Sequence, residues 1–343
     1  MTKKMVNLSG IAIITITIIF IAFMIAKDIE YRRPRVPGDQ TNNINVMLER
    51  IEGWEKIDGI EAVIDKEDLD MIDGSTATIP ITAEILRQFF DYTDEQVKSS
   101  YVIHHSTTHN AYVNLAHERS NTGIIFVTPP SEDELKLQDE HGVRFHLERV
   151  ATDGFVFITN IDNPVDSLTV KQIQDIYSGK ITNWKEVGGK DLEIVAYQRE
   201  RNSGSQTAME ENVMQGIQMI EPIETRVIGW MGGLIDAVAE YSNSEASIGY
   251  TYNYYLNNLY KSDKVKVIKV DGVSATNENL LNKTYPFYTP YYAVIRESEE
   301  LNSPARKLQE FLISPKGQEL IEMAGYCRRQ EEWKSIIEKN GWI

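Results

Sequence analysis

Three times along the chain, a short apolar run of strand length gives way to a small polar turn and then to a helical run. The first unit is Met71-Ile72-Asp73-Gly74-Ser75-Thr76-Ala77-Thr78-Ile79-Pro80, leading into a helix whose Ile81, Ile85, Leu86 and Phe89 share one face. The second is Tyr101-Val102-Ile103-His104-His105, followed by Ser106-Thr107-Thr108 and a helical run to Glu118. The third passes from the apolar residues 192–197 through Gln198-Arg199-Glu200-Arg201-Asn202-Ser203-Gly204-Ser205 into a helix over 207–214. Other strands alternate with helices in the same way. Residues 123–127 precede a Ser131/Glu134 capping box, and residues 155–159 precede a helix opened by Thr169 that bears Val170, Ile173 and Ile176. Residues 246–250 and 291–295 are further apolar strands, the latter before helices opened by Ser303 and Ser314. This alternation predicts an α/β fold with mainly parallel sheets, whose binding crevice is made by loops at the strand C-termini.

The turns carry chemistry that suits an oxyanion. The first N–H groups of a helix have no intrahelical acceptor and lie at its partly positive end. Ser75 with Thr76, Thr107 with Thr108, and Ser203 with Ser205 add hydroxyl donors there. Gly204 lets a ligand approach the backbone with no Cβ in the way, and Arg199 offers a planar fork of N–H donors. For any one such turn, simple helix capping is the competing reading; it is their number that points to binding. Two glycines of Gly229-Trp230-Met231-Gly232-Gly233 are expected to line the same cleft, whereas the tyrosines of 250–260 are read as core or hinge packing. His104, His105 and His109 invite a metal reading, but no carboxylate or cysteine is placed to complete a ligand set. Ser203 and Ser205 lack the Gly-x-Ser-x-Gly elbow of a nucleophile, and no histidine is assignable as a base. No catalytic residue, metal or cofactor is therefore expected.

The 343 residues have room for one large or two medium domains, with 42% hydrophobic and 25% charged residues. Residues 8–26 carry no charge and as a helix would reach roughly 28 Å, close to the bilayer's hydrocarbon thickness. Lys3 and Lys4 precede this run, and no small-x-small cleavage site stands near Ala26. Residues 1–30 thus read as an uncleaved signal anchor and 31–45, with two prolines and a glycine, as a linker to a body that begins near Val46. Residues 46–70 show no clear period. The single cysteine, Cys327, allows no disulfide within the chain. A formal net charge of −16 argues against nucleic acid as partner. It leaves small anions open, because surface charge is screened over about 8 Å at physiological salt.

Four motifs in order give a family resemblance. They are Asp73-Gly74-Ser75-Thr76-Ala77-Thr78-Ile79-Pro80; Asp153-Gly154-Phe155-Val156-Phe157-Ile158-Thr159-Asn160 with Asn163-Pro164-Val165; Ile176-Tyr177-Ser178-Gly179-Lys180-Ile181-Thr182-Asn183-Trp184; and Arg199-x-x-x-Ser203-Gly204-Ser205. Together they resemble the phosphate-binding proteins of bacterial ABC importers, over roughly residues 65–330. The resemblance implies a type II periplasmic-binding-protein-like fold of two α/β lobes joined by two crossing segments, with the ligand cleft between them. Lobe 1 would hold 46–155 and 256–343, and lobe 2 would hold 156–255. It carries ligand binding to Ser75, Thr76, Thr107, Thr108, Arg199, Ser203, Gly204 and Ser205, the last standing where the family usually has threonine. It implies a membrane-tethered, extracytoplasmic receptor that binds phosphate or a related oxyanion, meets ABC permease subunits and performs no reaction. One departure stands out. Val127-Thr128-Pro129-Pro130-Ser131 has no carboxylate where many members place an aspartate. An anion-sensing domain with a degenerate site is the alternative, and affinity for the anion separates the two.

Overall fold

One strand of 16 residues runs through the whole body and is shared by its two halves. A computed structural model describes residues 55–117, 120–240 and 244–329. The expected anchor over 8–26 and the linker over 31–45 lie outside these residues. Among the described residues, no helix is long and apolar enough to cross a membrane.

In chain order, the first elements are β1 (Ile72–Gly74), α1 (Ile79–Phe90), α2 (Asp94–Ser99), α3 (Thr108–Ala116), β2 (Ile124–Val127), α4 (Glu132–His141) and β3 (Phe145–Asn160). Then come β4 (Ser167–Leu168), α5 (Val170–Tyr177), β5 (Val195–Ala196), β6 (Gln198–Arg199), α6 (Gly204–Ala208), β7 (Val227–Ile228), α7 (Met231–Glu240) and β8 (Ser247–Tyr252). The chain ends with β9 (Val265–Val267), β10 (Lys269–Val270), α8 (Asn277–Leu281), β11 (Tyr288–Arg296), α9 (Pro304–Ile313), α10 (Pro315–Met323) and β12 (Cys327–Arg328).

The main sheet has the order β1-β2-β11-β3-β8-β5, with β12 and β9 also on β3. From Phe145 to Gly154, β3 pairs with β11; from Phe155 onward it pairs with β8 and β9. The change of partner at Gly154 divides the body. On one side lie β1, β2, β11 and β12, and on the other β5, β8 and β9. The expectation of mainly parallel sheets is overturned. Only β1 with β2 and β5 with β8 run parallel in this sheet, and every pairing of β3 and β11 is antiparallel. A helical crossover imposes parallel pairing only on the strands it joins, and β11 returns from the far half against the direction of β3. After residue 255 the chain adds β9 to β3 antiparallel and β10 to β4 parallel.

Helix starts follow their sequence signals. Ser131, Thr169, Ser303 and Ser314 all cap as read, the first two in full capping boxes. Two local readings fail. Tyr101–Ile103 is a 3-10 turn and not a strand, since Val102 and Ile103 are buried while Tyr101 stays 64% exposed. Residues 145–154, within a region read as variable and charged, form the first half of β3 because its Leu147, Val150 and Ala151 are buried between polar neighbours. The helix read over 207–214 begins earlier, at Gly204, and its last six residues widen into a π-helical turn, Met209–Met214.

Candidate anion-binding cleft

A cleft of about 430 Å³ opens between the halves. The first half contributes the loop after β1 (Ser75, Thr76, Ala77) and the start of α3 (Thr107, Thr108, His109, Asn110). From the second half come residues 199–205, residues 229–231 and Tyr252 at the end of β8. All eight residues singled out in the sequence, Ser75, Thr76, Thr107, Thr108, Arg199, Ser203, Gly204 and Ser205, line this one space.

The first two loops are locked to each other behind the cleft. Ser75 N–H donates to the Phe126 carbonyl at 2.9 Å, and the Thr78 hydroxyl donates to the same oxygen at 2.6 Å. His105 is buried, which lowers its pKa and keeps the ring neutral. Its Nδ1 lies 2.8 Å from the Ser75 carbonyl and its Nε2 2.9 Å from Thr82 Oγ1, so Nδ1 carries the proton and Nε2 accepts. Asp73 accepts from Ser106 N–H at 2.8 Å, from the Ser106 hydroxyl and from Asn114 Nδ2 at 3.0 Å. These bonds hold Thr107 at φ 77°, ψ 165°, a region that is nearly glycine-only and costs about 1–3 kcal/mol. Asn202, on the facing loop, is also left-handed at φ 63°. Backbone strain thus sits on both walls of the cleft.

Arg199 is the cleft's buried cation. Its Nε donates to the Ile228 carbonyl at 2.8 Å, Nη2 to the Gly229 carbonyl at 3.1 Å and Nη1 to Ser205 Oγ at 3.1 Å. Its backbone N–H is held by Gln206 Oε1 and Tyr250 Oη. Burial pushes the guanidinium's pKa down, yet an arginine stays charged in proteins. No carboxylate stands among these partners. Because Ser205 Oγ accepts from Arg199, its own O–H is left to donate. Ser203 caps α6, its Oγ accepting from Gln206 N–H at 3.3 Å. At Gly204, a Cβ would stand 2.5 Å from Thr128 Oγ1 and 2.8 Å from Thr108 Oγ1, both on the opposite half. The missing side chain therefore lets the two halves meet, a role beyond the ligand approach read from sequence.

Several lining residues were not legible beforehand. Tyr252 lies in the stretch read as packing, yet it lines the cleft, with its buried hydroxyl beside that of Thr128 on the opposite half. Thr128 Oγ1 is buried beneath Gly204, behind the lining. Burial, and then the Asp153 charge, push the Tyr252 phenol up, with Arg199 and a hydrogen bond to Thr128 offsetting part of that rise. Of the glycines expected at the cleft, Gly229 lines it, while Gly232 and Gly233 lie in the first turn of α7 against the Trp230 ring. Arg201 reaches across to Asp133 (2.7 Å), which also accepts from Asn202 Nδ2 (3.2 Å). Only the folded pairing of distant loops reveals that bridge. His109 pairs with Glu134 at 3.2 Å, which raises its pKa. Among the described residues, no group of His, Cys, Asp and Glu could hold a metal ion.

Two α/β halves that share a long strand and face each other across a polar cleft define a two-lobed binding domain. The chain belongs to the PBP superfamily, whose domain matches residues 71–316. It is 28% identical over 285 residues to the phosphate-binding protein PstS of Staphylococcus saprophyticus, a match spanning 78% of this chain and 85% of that protein. A substrate-binding protein from Clostridium perfringens, ascribed to phosphate ABC transport and solved with bound phosphate, is 29% identical. It superposes with a TM-score of 0.57, covering 76% of this chain and 98% of its own. An ABC-type phosphate transport receptor from Vibrio cholerae shares the fold, with a TM-score of 0.54 at 22% identity over 75% of this chain and 99% of its own.

Proposed function

We propose that this chain is an extracytoplasmic solute-binding protein that captures phosphate or a related oxyanion between its lobes and passes it to ABC permease subunits. It performs no chemistry. The observation that carries the reading is Arg199: a buried guanidinium that donates to two carbonyls and Ser205 and, among the described residues, to no carboxylate, set where hydroxyl-bearing turns of both halves converge. Burying a charge is costly unless it is paired, and an oxyanion in this cleft would pair it. The names of the PstS relative and of the phosphate-bound structure support the same ligand class. Ser75, Thr76, Thr107, Thr108, Arg199, Ser203, Gly204 and Ser205 are the proposed contacts. In the proposed division, lobe 2 runs from Phe155 to about residue 284, because β9 and β10 pair within it, and lobe 1 holds the rest of the body. Residues 8–26 would anchor that body to the outer face of the membrane.

The regulatory alternative has the missing carboxylate near Thr128 in its favour, while the retained hydroxyls and Arg199 favour binding. Calorimetry of the full-length protein with phosphate tests the proposal. Arg199→Ala should weaken binding by about 1.5–3 kcal/mol, the scale of hydrogen bonds to a charged group, with the fold intact. Lys171, exposed and paired with Asp175, serves as the control. Equal affinity for wild type and Arg199→Ala would sink the assignment.

A further inference from the structure

Resting on the reading of the cleft as an oxyanion site, the wall beside Arg199 points to what the oxyanion is attached to. Arg199 Nη2 donates to the Gly229 carbonyl at 3.1 Å, so Trp230, the next residue, stands beside the anion's anchor and lines the same cleft. Its ring lies on the first turn of α7, where Gly232 and Gly233 make room for it: a Cβ on either would stand 2.1 Å or 2.6 Å from a ring atom. Tyr260 packs against the ring edge to face, 5.9 Å between centroids, and its own hydroxyl donates to Asp236 at 2.7 Å. A half-buried indole is thus fixed in the cleft wall. Capture of a bare phosphate gives it nothing to do.

Charge at the same wall has the opposite sign from the ligand's phosphate. Arg201 is paired with Asp133 and His109 with Glu134. Glu200 is the one carboxylate along the lining; it is exposed, makes no ion pair among the described residues, and its Oε1 lies 2.8 Å from where a Cβ on Gly229 would stand. Beside a bare dianion such a carboxylate only repels. It suits a ligand whose far end is positive, and an indole face attracts the same group, an ammonium within about 6 Å of the ring. The cleft's 430 Å³ falls among pockets that take small organic molecules, roughly 300–1,000 Å³. We propose that the cleft takes phosphate monoesters bearing an alkylammonium group, the phosphate held by Arg199 and the three turns and the ammonium between Trp230 and Glu200.

Titration of the full-length protein with inorganic phosphate, phosphocholine and glycerol 3-phosphate, at pH 8 and matched ionic strength, tests this. The phosphocholine Kd should lie within about tenfold of the phosphate Kd or below it, and glycerol 3-phosphate, an ester without the cation, should bind about tenfold more weakly than phosphocholine. Trp230→Ala should lower phosphocholine affinity about tenfold more than phosphate affinity, the loss expected of one cation–π contact. Glu200→Gln should weaken phosphocholine about threefold and tighten phosphate, opposite signs that a merely structural change does not produce. Melting curves establish that each variant is folded. Wild-type protein that binds phosphate but takes phosphocholine more than about tenfold more weakly would overturn the inference and leave the phosphate reading standing. Variants that shift both ligands equally, or glycerol 3-phosphate that binds as tightly as phosphocholine, would remove the ammonium site. Folded wild-type protein that binds none of the three would instead overturn the oxyanion reading itself.

Discussion

At Gly204 a single missing carbon decides how closely the lobes approach. A Cβ there would stand 2.5 Å from Thr128 Oγ1 and 2.8 Å from Thr108 Oγ1, well inside van der Waals contact. Gly204→Ala should therefore hold the lobes apart and weaken phosphate binding about tenfold or more. Alanine is the better helix former, so unfolding measurements should show little or no loss of stability; unchanged affinity would mean that this close approach is not needed. Gly204 itself was legible, as were the hydroxyls of the three turns, because Gly, Ser and Thr between a strand and a helix form a local pattern. Tyr252 and Thr128 were not. A tyrosine in an aromatic stretch and a threonine before two prolines look like packing until the fold brings their hydroxyls together from opposite lobes beside the cleft.

At the scale of elements, β3 carries the connection between lobes, and Asp153 fastens it. Its carboxylate accepts from Gly154 N–H at 2.7 Å and from Tyr254 N–H at 3.1 Å, tying the crossing strand to the segment that leaves β8. Burial pushes the carboxyl up to about 7. The unfolded chain releases that proton near pH 4. Between about pH 4 and 7 the folded state thus holds a proton that the unfolded state has lost, and stability falls as pH rises through that window. Asp153→Asn keeps an acceptor oxygen and removes the titration, so urea denaturation across pH 4.5–7.5 should show a shallower loss. A small residual slope is expected from Glu211, an exposed residue whose carboxyl is raised by partial desolvation and then by Glu134, Glu210 and Glu132, with solvent screening the effect. Equal slopes in wild type and Asp153→Asn would refute the role of Asp153. The second half of β3 was plain in the sequence, since Phe155-Val156-Phe157-Ile158 is a continuous apolar run. Its first half was not, because His146, Glu148 and Arg149 interrupt the apolar positions. Nor did any local signal show that β11, more than a hundred residues on, returns beside it antiparallel.

For the whole molecule, charged groups that face each other across the cleft are of opposing effect. Arg201 and Asn202 bind Asp133 across the cleft, and Asn202 Oδ1 accepts from the Ser131 hydroxyl at 3.4 Å. Against them, Glu211 of the second lobe faces Glu134 and Glu132 of the first. The Arg201 side chain is 77% exposed, so its bridge is weakened by solvent and salt. Closure by the protein alone is then finely balanced, and an anion that touches both lobes tips it by its preference for the closed state. Small-angle scattering of the chain from residue 46 onward should give a smaller radius of gyration with saturating phosphate than without. Two substitutions away from the cleft lining separate closure from contact. Asp133→Asn, which weakens the bridge, should move the closure midpoint to higher phosphate by roughly twofold, and Glu211→Gln at pH 8 should move it lower, since apparent affinity scales with the closed fraction. Tight binding with no compaction, and with both variants indistinguishable from wild type, would mean that the lobes are already closed without ligand or that the ligand is held by one lobe, and would overturn capture by closure.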